Sequence, residues 1–321
     1  MDLTYVTPVF EAETELLDLQ ARSFARHVPV GARVVVLDDT HRGLRDVDAL
    51  RERYGPHGPH VRVLRPDEVT ALPLTSGWRS QQVLKLAVAR LVDTPYYVAL
   101  DAKNHFVAPP DEHFFVAPDG RPRVRAYGYA DHVLRGSLVH VCRYLGLDPA
   151  PHVERFAATT TPFTLDRAAV LDLLSDVESR AGRAFAQEFV AHDLTEFFLY
   201  SGWLARRDGT LERTMELTED PNPVVWPRSA TAAGVREILA AAQRVPVMGL
   251  HRDAVPRLGA EAAVLLADHW AERGVLDSRQ EGMALIRRMQ LRYAHEKRMH
   301  AVREAPARAR NVLRRAMARV H

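Results

Sequence analysis

The sequence is poor in cysteine, because its 321 residues include a single one, Cys142. One thiol cannot form a disulfide within the chain and cannot build a thiolate metal cluster. Cys142 ends an apolar stretch that begins at Leu138, which predicts a thiol packed in a core rather than a nucleophile. We therefore expect the protein to work in a reducing cytoplasm.

Long apolar runs are also missing. No stretch approaches the roughly 18 consecutive apolar residues of a membrane-spanning helix, and the first residues lack the basic start and apolar run of a signal peptide. No internal repeat or low-complexity linker is present. A composition of 47% apolar and 26% charged residues is typical of a globular protein with a sizeable core.

Excess positive charge is confined to the C-terminal end. The whole chain has 43 Lys and Arg against 41 Asp and Glu, whereas residues 279–321 have 12 against 3. The body is therefore mildly acidic and the tail is basic. Such a tail suits peripheral contact with an anionic membrane or polymer, or packing as an amphipathic or dimer-forming helix. No nucleic-acid partner is expected, since the tail lacks interleaved aromatic residues.

Strands alternate with helices through about the first hundred residues. The hydrophobic pattern predicts strands at residues 3–10, 32–39, 61–64 and 96–100. Such alternation indicates βαβ units and hence a mainly parallel sheet with helices on both faces. The pattern then predicts a strand at 123–127, a helix at 131–145, a helix capped by Asp166, a helix at 189–204 and a strand at 247–250. Helices follow from residue 260 onward, interrupted at Gly274 and near Pro306.

Polar or turn residues stand at or just after the ends of three of the first four predicted strands. They are Thr7-Pro8, Asp38-Asp39 and the segment from Asp101 to Asn104. Ligands of parallel α/β sheets bind at the carboxyl ends of the strands. The sequence therefore predicts a ligand site at this edge.

Several short motifs recur in a familiar order along the chain. They are Thr4-Tyr5-Val6-Thr7-Pro8, residues 77–86 (GWRSQQVLKL), residues 97–103 (YVALDAK), Thr161-Pro162-Phe163, residues 195–203 (TEFFLYSGW) and Gly249-Leu250-His251-Arg252. In order and spacing the sequence resembles the GT-A fold of the nucleotide-diphospho-sugar transferase superfamily. Within it, the sequence is similar to a bacterial family of glycosyltransferase-like proteins of unassigned activity.

The resemblance implies a GT-A-like domain over residues 1–255, followed by a helical, basic extension over residues 256–321. It also implies transfer of a sugar from a nucleoside-diphosphate donor to an acceptor hydroxyl. The acceptor would belong to a bacterial polysaccharide, a glycolipid or a small molecule.

Members of this superfamily usually carry Asp-x-Asp after the fourth strand, where the carboxylates hold a divalent cation against the donor diphosphate. Here the triplet is Asp101-Ala102-Lys103. One interpretation keeps the cation, Mn²⁺ or Mg²⁺, with Asp101 and His251 as ligands. In another, Lys103 binds the phosphates directly. In the plainest, Asp101 caps a turn and Lys103 is solvated.

The resemblance assigns further residues to the donor. Thr7, Asp38 and Asp39 would contact the nucleoside, although an aspartate pair after a strand is equally typical of an Asx-turn.

A second group of donor residues lies on one predicted helix. They are Arg79, Gln82 and Lys85, which share one face near the start of that helix. Their side chains could donate hydrogen bonds to a diphosphate. Trp78 could stack on a base or sugar. The alternative is a solvated helix face with Trp78 in the core.

The acceptor side has fewer candidates. Glu196 lies in a mostly apolar helical segment, where burial would raise its pKa and suit it as a base alongside Asp101. Otherwise it is a capping or ion-paired residue. Thr161, Phe163 and Trp203 could line an acceptor pocket, or could simply belong to a strand and a core.

Two other functions remain open at this point. The Asp-x-Lys triplet is compatible with a non-catalytic nucleotide-binding or scaffold protein that retains the fold. A nucleotidyltransferase is less favoured, since the glycine-rich basic segment expected after the first strand is missing.

Overall fold

The computed structural model describes residues 2–294. The chain divides into two compact units, one formed by Met1–Val224 with Ile238–Leu250 and the other by Val225–Glu237 with the chain from His251 onward. The predicted boundary near residue 255 stays a prediction, because the observed division is interleaved rather than a single cut. The basic tail from residue 295, including the predicted break near Pro306, lies outside the described residues.

Strands and helices alternate as the sequence pattern predicts. The strands are β1 Leu3–Val9, β2 Arg33–Asp38, β3 Val61–Leu64, β4 Tyr96–Ala99, β5 Asn104–Phe106, β6 Arg123–Tyr127, β7 Phe156–Ala157, β8 Phe163–Asp166, β9 Glu216–Thr218, β10 Val224–Val225 and β11 Val247–Leu250. The helices are α1 Thr14–His27, α2 Val47–Arg53, α3 Pro66–Val69, α4 Gly77–Ala87, α5 Arg135–Leu145, α6 Pro149–Glu154, α7 Arg167–Ala181, α8 Phe185–Ala191, α9 Glu196–Asp208, α10 Ala232–Ala241 and α11 Ala260–Glu272.

The main sheet has five strands in the order β3-β2-β1-β4-β8. Strand β1 lies in the middle and pairs in parallel with both β2 and β4, while β8 joins β4 in the antiparallel sense. All seven residues of β1 are buried, as expected of a strand covered on both faces. The predicted mixed, mainly parallel α/β sheet is confirmed.

Two three-stranded sheets complete the strand pairing, in the orders β10-β11-β5 and β7-β6-β9. Strand β5 follows β4 after a short turn, in which the Asn104 N–H donates to the Asp101 carbonyl at 2.9 Å. The Leu250 N–H at the end of β11 donates to the Lys103 carbonyl at 3.0 Å. Two hydrogen bonds, one within the turn and one from β11, therefore hold the backbone between β4 and β5.

The core lies beneath α4, α7 and α9, where their apolar faces meet the main sheet. Cys142 on α5 belongs to this core, and burial raises the pKa of its thiol to about 11. The predicted packed thiol is confirmed. None of the helices within residues 2–294 is both long and apolar enough to cross a membrane.

The structure corrects three predicted helix boundaries. The helix predicted over residues 189–204 is two helices, α8 and α9, because Asp193 adopts a left-handed conformation with φ of 50°. The apolar pattern predicts a helix over residues 80–92, but α4 begins at Gly77, where the Ser76 hydroxyl accepts the Arg79 N–H, and α5 begins only at Arg135. The second unit contains α11 and a further helix over residues 279–294, which agrees with the predicted interruption at Gly274.

Candidate functional site

The candidate site is built on the turn between β4 and β5, at the carboxyl end of the sheet. The Asp101 N–H donates to the Asn104 side-chain oxygen at 2.9 Å. The Gln20 side-chain amide on α1 donates to the Asp101 carbonyl at 3.0 Å and to the Asn104 carbonyl at 2.8 Å. The backbone of this turn is therefore fixed before any ligand arrives.

Thr7 supports the turn from below. Its side chain is fully buried, and its hydroxyl donates to the Gln20 side-chain oxygen at 2.9 Å. Thr7 thus orients the amide that holds Asp101. The structure places this predicted donor residue beneath the site, with no exposed surface for a ligand.

The carboxylate of Asp101 is shared between two lysines and a threonine. Oδ1 accepts from Lys85 Nζ at 2.7 Å, and Oδ2 accepts from Lys103 Nζ and from the Thr161 hydroxyl, the latter at 2.9 Å. Burial alone would raise the pKa of Asp101, but the ammonium groups of Lys103 and Lys85 outweigh it and hold that pKa well below its usual range. Asp101 is therefore an ionised carboxylate flanked by two cations.

Lys85 connects Asp101 to Glu196. Its ammonium lies 3.5 Å from Glu196 Oε1 and 5.4 Å from the centre of the Phe197 ring. Burial would lower the pKa of Lys85, yet the two carboxyl groups raise it, so the side chain stays charged. Its position differs from the prediction, since Lys85 lies in the last turn of α4 rather than near its start.

Glu196 is the first residue of α9 and is almost fully buried. Burial raises its pKa, and the neighbouring Lys85 offsets only part of that effect. The predicted raised pKa is confirmed. A carboxylate with a raised pKa is a stronger base than an ordinary glutamate.

The four charged side chains differ in their access to solvent. The side chains of Lys85 and Glu196 are 7% and 8% exposed, whereas those of Lys103 and Asp101 are 13% and 25% exposed. Lys103 and Asp101 therefore form the open side of this Lys85–Asp101–Lys103–Glu196 group, which we call the charged cluster.

Arg79 lies two turns before Lys85 on α4, and its guanidinium binds groups of the protein itself. Its guanidinium donates to the Asp193 carboxylate and to the Leu194 carbonyl, and it packs 5.0 Å from the centre of the Trp78 ring. Trp78 itself is 57% exposed, so it covers Arg79 from the solvent side and is not a core residue.

Gln82 lies between Arg79 and Lys85 along α4. It is 1% exposed, and neither its side-chain oxygen nor its nitrogen has a hydrogen-bond partner among the described residues. A buried amide without partners costs stability, and such groups in native proteins usually have a functional reason.

Replacing Gln82 tests whether its side-chain amide lacks hydrogen-bond partners in the folded protein. We expect Gln82→Met to raise the unfolding free energy by about 1 kcal/mol, because the substitution removes two buried polar atoms that lack partners. Urea unfolding measures the change, and Gln187→Met on α8 is a matched control. An unchanged or lower midpoint for Gln82→Met would show that the amide has partners in solution.

The two aspartates after β2 have different environments. Asp38 is buried and accepts from the Thr40 N–H, the Thr40 hydroxyl and the Leu44 N–H, with Arg65 3.1 Å away. This is the turn-closing arrangement of the Asx-turn alternative, and it occupies the Asp38 carboxylate.

Asp39 is only partly buried and is closer to α4. Its Oδ1 accepts from the Ser80 hydroxyl at 3.3 Å, and burial raises its pKa. Asp39 therefore has the less saturated carboxylate of the pair. The Ser80 contact could not be predicted, because Ser80 and Asp39 are 41 residues apart in sequence and no local pattern links them.

The predicted acceptor residues separate into two environments. Thr161 contacts Asp101 and lies 3.4 Å from Lys103 Nζ, so it belongs to the charged cluster's surroundings. Phe163 is buried with its ring stacked 4.1 Å from that of Phe197, and the buried Trp203 donates its N–H to Asp176 at 3.0 Å. Both aromatic residues are packed in the core and expose no surface to an acceptor.

His251 belongs to the second unit, where it caps a short 3₁₀ helix. Its Nδ1 accepts the Asp253 N–H at 3.2 Å, and its ring lies 4.8 Å from that of Trp226. Its predicted metal role stays untested.

The donor set at Asp101 does not suit a resident divalent cation. Both carboxylate oxygens already accept from ammonium groups, which would repel a second cation. Within residues 2–294, no group of three or more His, Cys, Asp and Glu side chains is arranged to hold a metal ion.

The structure is similar in its fold to glycosyltransferases of the GT-A type. The apo structure of the bifunctional glycosyltransferase WbbM matches 90% of this chain with a TM-score of 0.53 and 15% sequence identity. The match covers 52% of that protein, so this chain spans about half of its length.

Two structures of the galactosyltransferase LgtC also match. The complex with donor and acceptor sugar analogues has a TM-score of 0.46 and 12% identity, covering 85% of this chain and all of that one. An active-site mutant of LgtC has a TM-score of 0.47 and 11% identity, covering 84% and 95%.

The chain belongs to the family described as a family of unknown function, DUF6492, whose profile matches residues 34–229, more than half of the sequence. No curated protein matches the sequence.

Proposed function

We propose that this chain transfers a sugar from a nucleoside-diphosphate donor to an acceptor hydroxyl. The observation that carries the proposal is the pair of ammonium groups on Asp101, at the carboxyl end of β4. Phosphate oxygens accept charge-assisted hydrogen bonds from such groups. Open α/β sheets also bind ligands at this edge. The WbbM likeness supports the fold on which the proposal rests.

The nucleoside would bind near the start of α4. Asp39 has carboxylate oxygen available beyond its contact with Ser80, and it could accept from ribose hydroxyls or a base N–H. The exposed ring of Trp78 offers a stacking surface. Asp38 would act indirectly, by holding the loop that follows β2.

Glu196 is the proposed base toward the acceptor hydroxyl, since burial raises its pKa and makes its carboxylate a stronger base. Asp101 would position Lys103 and Lys85, and Thr161 would contact the acceptor side. The acceptor class is a glycan, a glycolipid or a small molecule. Peripheral contact of the basic tail with an anionic membrane or polymer is part of the same proposal.

A panel of nucleoside diphosphates tests the proposal directly. We expect one of UDP, GDP, ADP, CDP or TDP to raise the melting temperature of the full chain in thermal-shift assays and to bind in calorimetry. The corresponding sugar nucleotide should then be turned over slowly, with water as the default acceptor. Absence of binding with chelator and with Mn²⁺ alike would reject the proposal.

A non-catalytic nucleotide-binding protein is the second candidate. The observation in its favour is that Lys85, Lys103 and Thr161 already bind both oxygens of Asp101, the position at which related enzymes hold their metal ion. In that case a bound sugar nucleotide would stay intact with every acceptor offered. Chromatography of the recovered nucleotide distinguishes the two candidates.

A further inference from the structure

We infer that lysine ammonium groups neutralise the donor diphosphate in place of a divalent cation, with Lys103 as the residue that moves onto the phosphates. The inference rests on the proposed function and specifies the donor site. Its first basis is the set of protein groups that already bind the Asp101 carboxylate.

Both oxygens of the Asp101 carboxylate already accept hydrogen bonds. Oδ1 accepts from Lys85, and Oδ2 accepts from Lys103 and Thr161. A divalent ion bound to either oxygen would lie close to two ammonium groups. Repulsion between like charges at such distances is strong in a partly buried site. The two ammonium groups therefore make this carboxylate a poor ligand for a cation.

The charges of the cluster leave room for an anion. Two ammonium groups, those of Lys85 and Lys103, bind the ionised carboxylate of Asp101, and Glu196 contacts the deeper of the two lysines. Asp101 is thus shared between two cations. A diphosphate oxygen would accept a charge-assisted hydrogen bond from Lys103.

The two lysines have different freedom to move. Lys85 is held between Asp101 and Glu196 and is almost fully buried. Lys103 lies on the open side, and its ammonium also reaches the Thr161 hydroxyl at 3.4 Å. When Lys103 turns toward a diphosphate, Lys85 and Thr161 remain on Asp101 and keep that carboxylate satisfied. Lys85 and Thr161 are therefore positioning residues, and Lys103 is the phosphate-binding residue.

The test compares binding of UDP and GDP with chelator and with Mn²⁺, by calorimetry on the full chain. For whichever nucleotide binds, we expect the same Kd within about twofold in the two conditions. Lys103→Met should weaken binding about tenfold, and Lys103→Asp about a hundredfold, because charge reversal replaces attraction by repulsion. Lys103→Arg should retain most of the affinity, since it keeps the positive charge.

Controls separate a binding effect from a folding effect. Arg90→Met removes an exposed cation at the end of the same helical region and should bind as the parent does. Circular dichroism and melting temperature of each Lys103 variant check that the fold is kept. Titration of Mn²⁺ into the parent without nucleotide, followed by electron paramagnetic resonance, should show no tight site.

The contrary outcomes are distinct. Two results overturn the inference and leave the proposed function standing. One is nucleotide binding that requires Mn²⁺. The other is a Lys103→Asp variant that gains a tight Mn²⁺ site and binds nucleotide at least as well as the parent. Equal affinity of the parent and Lys103→Met also overturns the inference. If neither condition supports binding of any nucleotide, the proposed function itself fails.

Discussion

The Lys85→Met variant is expected to lose about 3–5 kcal/mol of unfolding free energy, because it removes one partner of a buried ion pair. In the parent, the Lys85 ammonium bridges Asp101 at 2.7 Å and Glu196 at 3.5 Å. Methionine fills similar volume but leaves both carboxyl groups without their shared cation. Urea unfolding at about pH 7, followed by circular dichroism, measures the change.

An exposed ion pair nearby provides the matched control for Lys85. Arg90 pairs with Glu178 at 2.8 Å, with both side chains about a third or more exposed, so Arg90→Met should cost less than about 1 kcal/mol. Equal losses in the two variants would contradict the buried ion pair.

The pH dependence of the Lys85→Met loss distinguishes electrostatics from packing. Burial already raises the pKa of Glu196, and removing Lys85 should raise it further. A carboxyl group whose folded-state pKa is raised adds no cost below its unfolded pKa and destabilises the fold progressively as pH rises from the unfolded pKa to the folded one. The loss should therefore be smaller at about pH 5 than at about pH 8. A loss that is independent of pH would indicate packing alone.

The Phe163→Ala variant is expected to lose about 3–5 kcal/mol as well, for a different reason. The Phe163 ring stacks at 4.1 Å on that of Phe197 and contacts Tyr200 edge-on at 6.2 Å between ring centres. Removing it leaves a cavity between β8 and α9, since the surrounding structure relaxes only in part. The urea midpoint should fall at every pH, in contrast to Lys85→Met.

Trp78→Ala is the control for Phe163, because Trp78 is large but 57% exposed. We expect a small stability change there. If Phe163 lined an acceptor pocket, the reverse would hold: Phe163→Ala would unfold at nearly the parent's urea concentration and show its defect in KM for the acceptor.

Local sequence patterns predicted the sheet well. Strands β3, β6 and β11 have the predicted bounds, because each is a short apolar or alternating run between turn residues. The break between α8 and α9 could not be predicted in this way. Residues 192–195 contain neither proline nor glycine, and the break is instead fixed by Arg79, which binds Asp193 and the Leu194 carbonyl from another helix.

The site was predicted less completely than the fold. The segment from Asp101 to Lys103 and the raised pKa of Glu196 followed from position and burial pattern. The burial of Thr7 could not be predicted. A polar residue near a strand end has the same sequence pattern whether its side chain faces a ligand or, as here, Gln20. Whether Phe163 faced core or solvent depended on the register of β8 against β4, which no local pattern specifies.

The partners of Asp101 also set an order of events during synthesis of the chain. Lys85 is 16 residues from Asp101 in sequence, whereas Thr161 follows 60 residues later and Glu196 lies 111 residues beyond Lys85. Contacts between distant residues form late, since loop closure costs entropy before the contact stabilises the chain. While a ribosome has made only β1 to β5, Asp101 and Lys85 remain open to water at an unfinished sheet edge. Competence to bind a ligand therefore arises only after β8 and α9 have emerged, and a nascent chain can have the strands of the fold without its site.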